Sequence, residues 1–187
     1  MMKKLIFGVA VVILLFGLGL APGADAAERK DVLVIGMATS DIISLDPAKA
    51  FEFSGVGIDA QIYDRLLDFK AGQFDKPELS LAESYEVSPD GKTWTFHLRK
   101  DVKFHSGNPL TADDVVYSFQ RVVILKDQPS FILTQFGITP DSVRAVDKHT
   151  VQVTLDKKYA GGIFFACLAA GVSSIVDSQV VKQHTQK

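Results

Sequence analysis

The chain is poor in several of the residue patterns that would tie it to a particular chemistry. It has one cysteine, Cys167, so no internal disulfide can form and stability must come from packing. Cys167 sits in the apolar run Ile163-Phe164-Phe165-Ala166-Cys167-Leu168, where it reads as a small buried apolar side chain. Charge of one sign is also missing. With 20 basic against 22 acidic residues, scattered evenly, there is no concentrated positive field of the kind that nucleic acid or an anionic membrane surface would recognise. The four histidines, His97, His105, His149 and His184, are far apart, and none has a His, Cys or Glu at ligand spacing on one helix, so no metal site is expected. No G-x-S-x-G elbow is present, and Ser173-Ser174 have no histidine nearby in sequence, which leaves hydrolase chemistry no foothold; no cofactor is implied. Gly55-Val56-Gly57-Ile58-Asp59-Ala60 fits the dinucleotide fingerprint only loosely. No clean strand leads into it and no acidic residue follows at the right distance, so it is read as a helix start.

Long apolar runs are absent too, with one exception at the N-terminus. Lys3 and Lys4 precede an apolar run over residues 5–20, and Ala24-Asp25-Ala26 follows with small residues at its first and third positions. This order reads as a secretory signal peptide over residues 1–26, leaving Ala27 as the mature terminus. The alternative is a retained membrane anchor, since the run is near the lower length limit for spanning a bilayer. A lipid anchor would need a cysteine just after the run, and Cys167 is too distant. A free periplasmic protein is therefore expected.

Beyond residue 26, the 47% apolar content is ample for a buried core. Residues 31–38, with Val32, Leu33, Val34 and Ile35, are β-branched and apolar on both faces, predicting a strand buried on both sides. Leu45-Asp46-Pro47 punctuates the chain. Ile58, Ile62, Leu66 and Phe69 predict a helix over 57–67, with Asp59, Asp64 and Arg65 on its polar face. Residues 83–98 change to period two around Ser88-Pro89-Asp90-Gly91 and predict a β-hairpin, with Thr93, Thr95, His97 and Arg99 facing water or a polar cleft. Thr111 with Asp113 and Asp114 opens a helix whose stripe is Val115, Phe119 and Val122, closed by Pro129. A second hairpin is predicted from 142–146 and 150–155, an apolar helix interrupted by Gly161-Gly162 over 159–170, and a last helix over 177–184. This mixed order argues for an α+β or mixed α/β architecture rather than regular βαβ alternation.

The stretch from Leu81-Ala82-Glu83-Ser84-Tyr85 through Ser88-Pro89-Asp90-Gly91-Lys92-Thr93-Trp94-Thr95-Phe96 to Pro109-Leu110-Thr111-Ala112-Asp113-Asp114-Val115-Val116-Tyr117-Ser118-Phe119 closely resembles the signature of the family-5 extracellular solute-binding proteins. These are the dipeptide-, oligopeptide- and nickel-binding components of ABC importers. Leu45-Asp46-Pro47 and Tyr63-Asp64-Arg65-Leu66-Leu67 resemble two further landmarks in the right order. The resemblance implies a partial periplasmic-binding-protein-like fold (type II, cluster C). Residues 27–80 would begin the first lobe, and 81–187 would supply more of that lobe and much of the extra domain, stopping before the second lobe. It further implies a monomer that binds a short peptide or other small molecule and docks on an ABC permease. The turn Thr39-Ser40-Asp41, the stretch Phe51-Glu52-Phe53, and Phe131 from the extra domain would then line the ligand cleft. Phe51, Phe53 and Phe131 have a competing reading as core residues. The ligand could equally be a nickel chelate, haem, a sugar or an opine, and a secreted hydrolase or an anchored sensor ectodomain is the rival from another class.

Overall fold

The computed structural model describes residues 32–70, 72–73 and 76–185. The proposed leader over 1–26, its apolar run and Asp31 lie outside the described residues. By backbone contacts the chain divides into two units, residues 1–36 and residues 37–187. Of the first unit, residues 32–36 are described. They form no strand, and Val32, Leu33, Val34 and Ile35 are all exposed. The strand expected over 31–38 is therefore absent among the described residues. A strand with two apolar faces is stable only with pairing edges and covering layers, and no strand among the described residues pairs with it.

The second unit is built on a four-stranded antiparallel sheet in the order β3-β4-β6-β5, with β3 Ala82–Val87, β4 Thr93–Leu98, β5 Val143–Asp147 and β6 Thr150–Thr154. The first hairpin turns where the sequence places it. Gly91 N–H donates to the Ser88 carbonyl at 2.8 Å, and Asp90 Oδ1 accepts from Lys92 N–H at 3.0 Å. Gly91 has φ of +72°, a backbone conformation that favours glycine, and the atoms nearest to a Cβ there belong to the exposed side chain of Lys158. Alternation then sets the faces: Trp94, Phe96 and Leu98 are buried, while Thr93, Thr95 and His97 between them are half-buried and Arg99 is exposed. Tyr85 and Val87 are 40% exposed, so the outer strand β3 contributes less to the core than its apolar residues suggest.

Helix α2 (Ala112–Leu125) packs on this sheet, with Val115, Phe119 and Val122 buried as its stripe predicts. Its start is tied by Asp114, whose Oδ2 accepts from Thr111 N–H at 2.9 Å and from Thr111 Oγ1 at 2.7 Å. Its end is not made by Pro129. The helix stops at Leu125, with Lys126 in the left-handed region (φ 56°), and Pro129 lies in the next turn, a 3-10 segment spanning Gln128–Ser130. Short α3 (Phe131–Thr134) follows at once. Helix α4 (Gly161–Leu168) begins at Gly161, so the glycine pair forms its first turn rather than an interruption. Phe164 of α4 stacks 5.2 Å from both Trp94 and Phe136, joining the helix to the sheet core. Cys167 is half-buried rather than fully buried, and burial pushes its thiol up. Helix α5 (Ser178–His184) is capped by Asp177, whose Oδ1 accepts from Gln179 and Val180 N–H.

The largest departure from sequence expectation lies before the sheet. Helix α1 spans Phe53–Asp59, not 57–67. Its chain leaves the helix at Asp59, whose carbonyl accepts from both Ile62 and Tyr63 N–H. Leu67 then pairs with Leu79, as β1 (Leu67–Asp68) meets β2 (Glu78–Leu79). Leu66 and Leu67 are buried, so apolar residues at helical spacing are consumed by a strand-like segment. The carbonyls of Arg65 and Leu66 accept from Leu81 and Ala82 N–H, and these tertiary bonds outweigh local helix preference. Among the described residues no helix is long and apolar enough to cross a membrane.

Candidate functional site

Beside α1 lies an open cavity of about 590 Å³. Its walls come from four places: Met37, Ala50-Phe51 with Phe53, Val56 and Gly57 of α1 and Ala60 at its C-cap, Pro129 and Ile132 around α3, and the 169–172 segment after α4. Arg65 is its single charged lining residue among those described.

The segment that carries Phe51 and Phe53 is held rigidly from below. Asp46 receives the Arg121 guanidinium in a two-point ion pair, Nη1 donating to Oδ1 at 2.7 Å and Nη2 to Oδ2, and it also accepts from Ala48 N–H at 3.1 Å. Burial pushes the Asp46 carboxyl up, but the hydrogen bonds and charge of Arg121 outweigh it and hold the group below the usual carboxylate range. Leu45-Asp46-Pro47 is thus pinned to α2, which fixes where the chain enters α1.

Thr39, Ser40 and Asp41 lie on an exposed turn closed by Ile42 N–H donating to the Thr39 carbonyl. Asp41 ties that turn to α1, since Oδ2 accepts from Ser54 N–H at 3.1 Å, and the Ser54 hydroxyl donates to the Ala38 carbonyl. The bond from Ser54 holds the Asp41 carboxyl below its ordinary value. None of the three lines the cavity. Glu52 stands at the N-cap position of α1 and accepts from Phe51 N–H at 3.2 Å. Phe51 meets Phe131 edge to face at 5.8 Å, bringing the two segments named from sequence together. Phe53 is 92% exposed, which rules out a core role for it within the described residues. Phe51 and Phe131 are 41% and 51% exposed and likewise stand outside the buried core.

Two residues assigned to a polar helix face are in fact buried. Asp59 is 1% exposed and Arg65 7%, because α1 ends early and the chain folds back over them. Asp59 Oδ1 and Arg65 Nε have no hydrogen-bond partner. Burial, with the nearby negative charges of Asp46 and Glu52, pushes the Asp59 carboxyl up to about 6. The folded value exceeds the ordinary 3.8, so the stability linked to neutral Asp59 is at full strength below about pH 3.8 and is lost as pH rises through about 6. Asp59→Asn is therefore expected to stabilise the fold by about 1–3 kcal/mol at pH 8 and to leave it nearly unchanged at pH 4. Urea midpoints of parent and variant at both pH values check this, and equal differences at the two would contradict it. The loose glycine pattern at 55–60 falls within α1 and its C-cap, not at a strand-to-helix turn.

The second unit is thus an antiparallel sheet backed by helices, with an apolar cavity beside α1. Residues 76–187 match the bacterial extracellular solute-binding proteins, family 5, middle region, and the chain belongs to that family. It is 36% identical over 167 residues to the probable D,D-dipeptide-binding periplasmic protein DdpA of Escherichia coli, covering 87% of this chain and 31% of the relative. It is 41% identical over 134 residues to heme-binding protein A of Haemophilus influenzae, covering 64% of this chain and 24% of the relative. Among solved structures it resembles MppA, a periplasmic murein tripeptide binding protein in its unliganded open form, with a TM-score of 0.67, 29% identity, and coverage of 75% of this chain and 29% of that one. The chain thus spans about a third or less of the length of these relatives. The fold is that of the corresponding part of a family-5 periplasmic binding protein, and the family is one of solute-binding proteins rather than enzymes.

Proposed function

We propose that this chain forms the ligand-facing part of a periplasmic carrier that captures short peptides and delivers them to an ABC permease by closure of a cleft, with no covalent chemistry. The observation that carries the reading is the cavity beside α1. It is walled by Phe51 and Phe53, flanked by the Thr39-Ser40-Asp41 turn, and held in place by the Asp46–Arg121 pair. Phe131 of α3 does not line the cavity but meets Phe51 edge to face, and Glu52, also outside the lining, accepts from Phe51 N–H. Residues 27–80 would act as the start of the first lobe, and 81–187 as its continuation with much of the extra domain. Export would proceed by cleavage after residue 26, giving a monomer free in the periplasm.

Relatives named for dipeptide, murein tripeptide and heme differ in what they carry, so the peptide assignment is tested directly. Saturation-transfer NMR of the chain against a di- and tripeptide set should show binding, and Phe51→Ala should weaken it by about tenfold, the worth of one well-packed aromatic contact. Silence across the set, with binding of heme or a sugar instead, would remove peptides as the cargo. Mass measurement of the secreted product should give Ala27 as first residue, whereas an intact Met1 or Met2 would indicate a retained anchor.

A further inference from the structure

We infer that Asp59 makes α1 a proton-sensitive element: while its carboxyl is neutral the end of the helix stays packed, and once ionised it loosens that end and the cavity wall it carries. The inference concerns the conformation of the chain itself and holds whichever solute the cavity takes.

The geometry sets the carboxyl against its surroundings. Of the seven residues of α1, only Ser54, Gly55 and Asp59 are buried, so Asp59 is the one side chain that the last turn inserts into the interior. It is 1% exposed, and Oδ1 finds no hydrogen-bond partner among the described residues. An ionised carboxylate there would lose its water without replacement, whereas the neutral acid loses far less. The carbonyls that end a helix carry partial negative charge and add to the penalty. The charges around Asp59 act in the same direction: Asp46 from the turn before α1 and Glu52 from its N-cap both repel a negative charge at this point. Tyr63, from the turn after α1, stays neutral near pH 7, because burial and the Asp59 and Asp46 charges push its phenol up. Arg121 of α2 is committed to Asp46 through both carboxylate oxygens, and Arg65 to Asp68. Burial first, then the two carboxylates, bring the Asp59 carboxyl up to about 6.

The two ends of α1 respond differently. At the start, Ser54 N–H is bound by Asp41, and the turn before it by the Asp46–Arg121 pair. Both of these carboxyls are held below the ordinary range and keep their charge near neutral pH. The far end is closed by backbone bonds, Ala60 N–H donating to the Val56 carbonyl at 3.0 Å and Tyr63 N–H to the Asp59 carbonyl at 2.9 Å. Opening these bonds lets Asp59 reach water, and ionisation favours any state in which it does so, increasingly as pH rises through about 6. Val56, Gly57 and Ala60 line the cavity from the same stretch, so its wall moves with that end.

The test is amide hydrogen exchange of the whole chain at pH 5 and pH 8, each rate divided by its intrinsic value at that pH, with and without low urea. Protection at Ala60 and Tyr63 should fall at least about tenfold from pH 5 to pH 8, the worth of one unit of raised pKa. The opening at these two amides should depend on urea far less than that of Phe96 in β4, as a local opening does. Asp59→Asn, which cannot ionise, should give the same protection at both pH values. A fall at Ala60 and Tyr63 with the full urea dependence of Phe96 would mean that Asp59 acts only on the whole fold, and would overturn the inference. Unchanged protection in the parent, or an equal fall in Asp59→Asn, would overturn it too. If the variant does not fold, carbon-13 titration of the parent's Asp59 carboxyl decides: a midpoint near 6 supports the inference, and one near the ordinary 3.8 overturns it. No ligand enters these measurements, so their failure would leave the carrier reading standing.

Discussion

Replacing Phe119 by alanine is expected to lower the stability of the fold by about 3–5 kcal/mol, the usual cost of emptying a phenylalanine site in a packed core. Phe119 is fully buried on α2, the helix that covers the β-sheet, and it belongs to the same apolar cluster as Phe96, Val151 and Phe164. Total stabilities of single domains are about 5–15 kcal/mol, so the loss would remove a large share of the whole. The urea midpoint should fall steeply with an unchanged slope. Ile124 sits on the same helix but is 62% exposed, and Ile124→Ala should shift the midpoint by no more than about 0.5 kcal/mol. Similar losses in the two variants would mean that α2 is not held by the face assigned here.

The second large effect is expected from Asp114→Ala, at about 2–4 kcal/mol. Asp114 is 3% exposed, yet its carboxylate is fully used. Oδ2 accepts from Thr111 N–H and Oγ1, and Oδ1 accepts from Ser178 N–H at 3.1 Å. One side chain therefore closes the start of α2 and anchors the start of α5. A neighbouring bond reinforces the link, since Ser118 Oγ donates to the Asp114 carbonyl and accepts from Val176 N–H at 3.0 Å. Alanine would leave the Thr111 and Ser178 amides without acceptors in a dry setting. Hydrogen exchange at Ser178 and Thr111 should accelerate more than exchange in β4 or β6. Asp114→Asn should recover part of the loss, because its carbonyl oxygen can still accept. An Asp114→Ala midpoint within error of the parent would show that the two helix starts are not coupled through this residue.

These two residues also show where sequence reading succeeds. The α2 stripe follows from apolar spacing, and its start from Thr111 and Asp114, because helix periodicity and capping depend on residues within one or two turns. The first hairpin is legible for the same reason: Ser88-Pro89-Asp90-Gly91 makes its own turn, and alternation assigns Trp94, Phe96 and Leu98 to one face. The link from Asp114 to Ser178 was not legible, since it joins positions far apart in the chain. Arg65 and Asp59 were misplaced for a related reason. Their spacing suits the wet face of a helix, but α1 ends at Asp59 and the β1–β2 pair takes up Leu67. Apolar spacing alone cannot tell a helix from a turn leading into a strand when the deciding hydrogen bonds come from Leu81 and Ala82.

The candidate site divides along the same line. The resemblance carried by residues 81–119 and Leu45-Asp46-Pro47 implied a cleft lined by Phe51-Glu52-Phe53, and the structure puts Phe51 and Phe53, but not Glu52, in the cavity wall. What it did not supply was the buried guanidinium in the wall, or the contact between Phe51 and Phe131. By itself the sequence determined the family, the two hairpins that become β3–β4 and β5–β6, the capped α2 and the lack of a disulfide within this chain, all of which rest on local pattern and composition. Only the tertiary structure decided where α1 stops, which polar groups are buried without partners, and which walls meet around the cavity. Burial and partnership are properties of the space between segments, and that space is set by packing rather than by spacing along the chain.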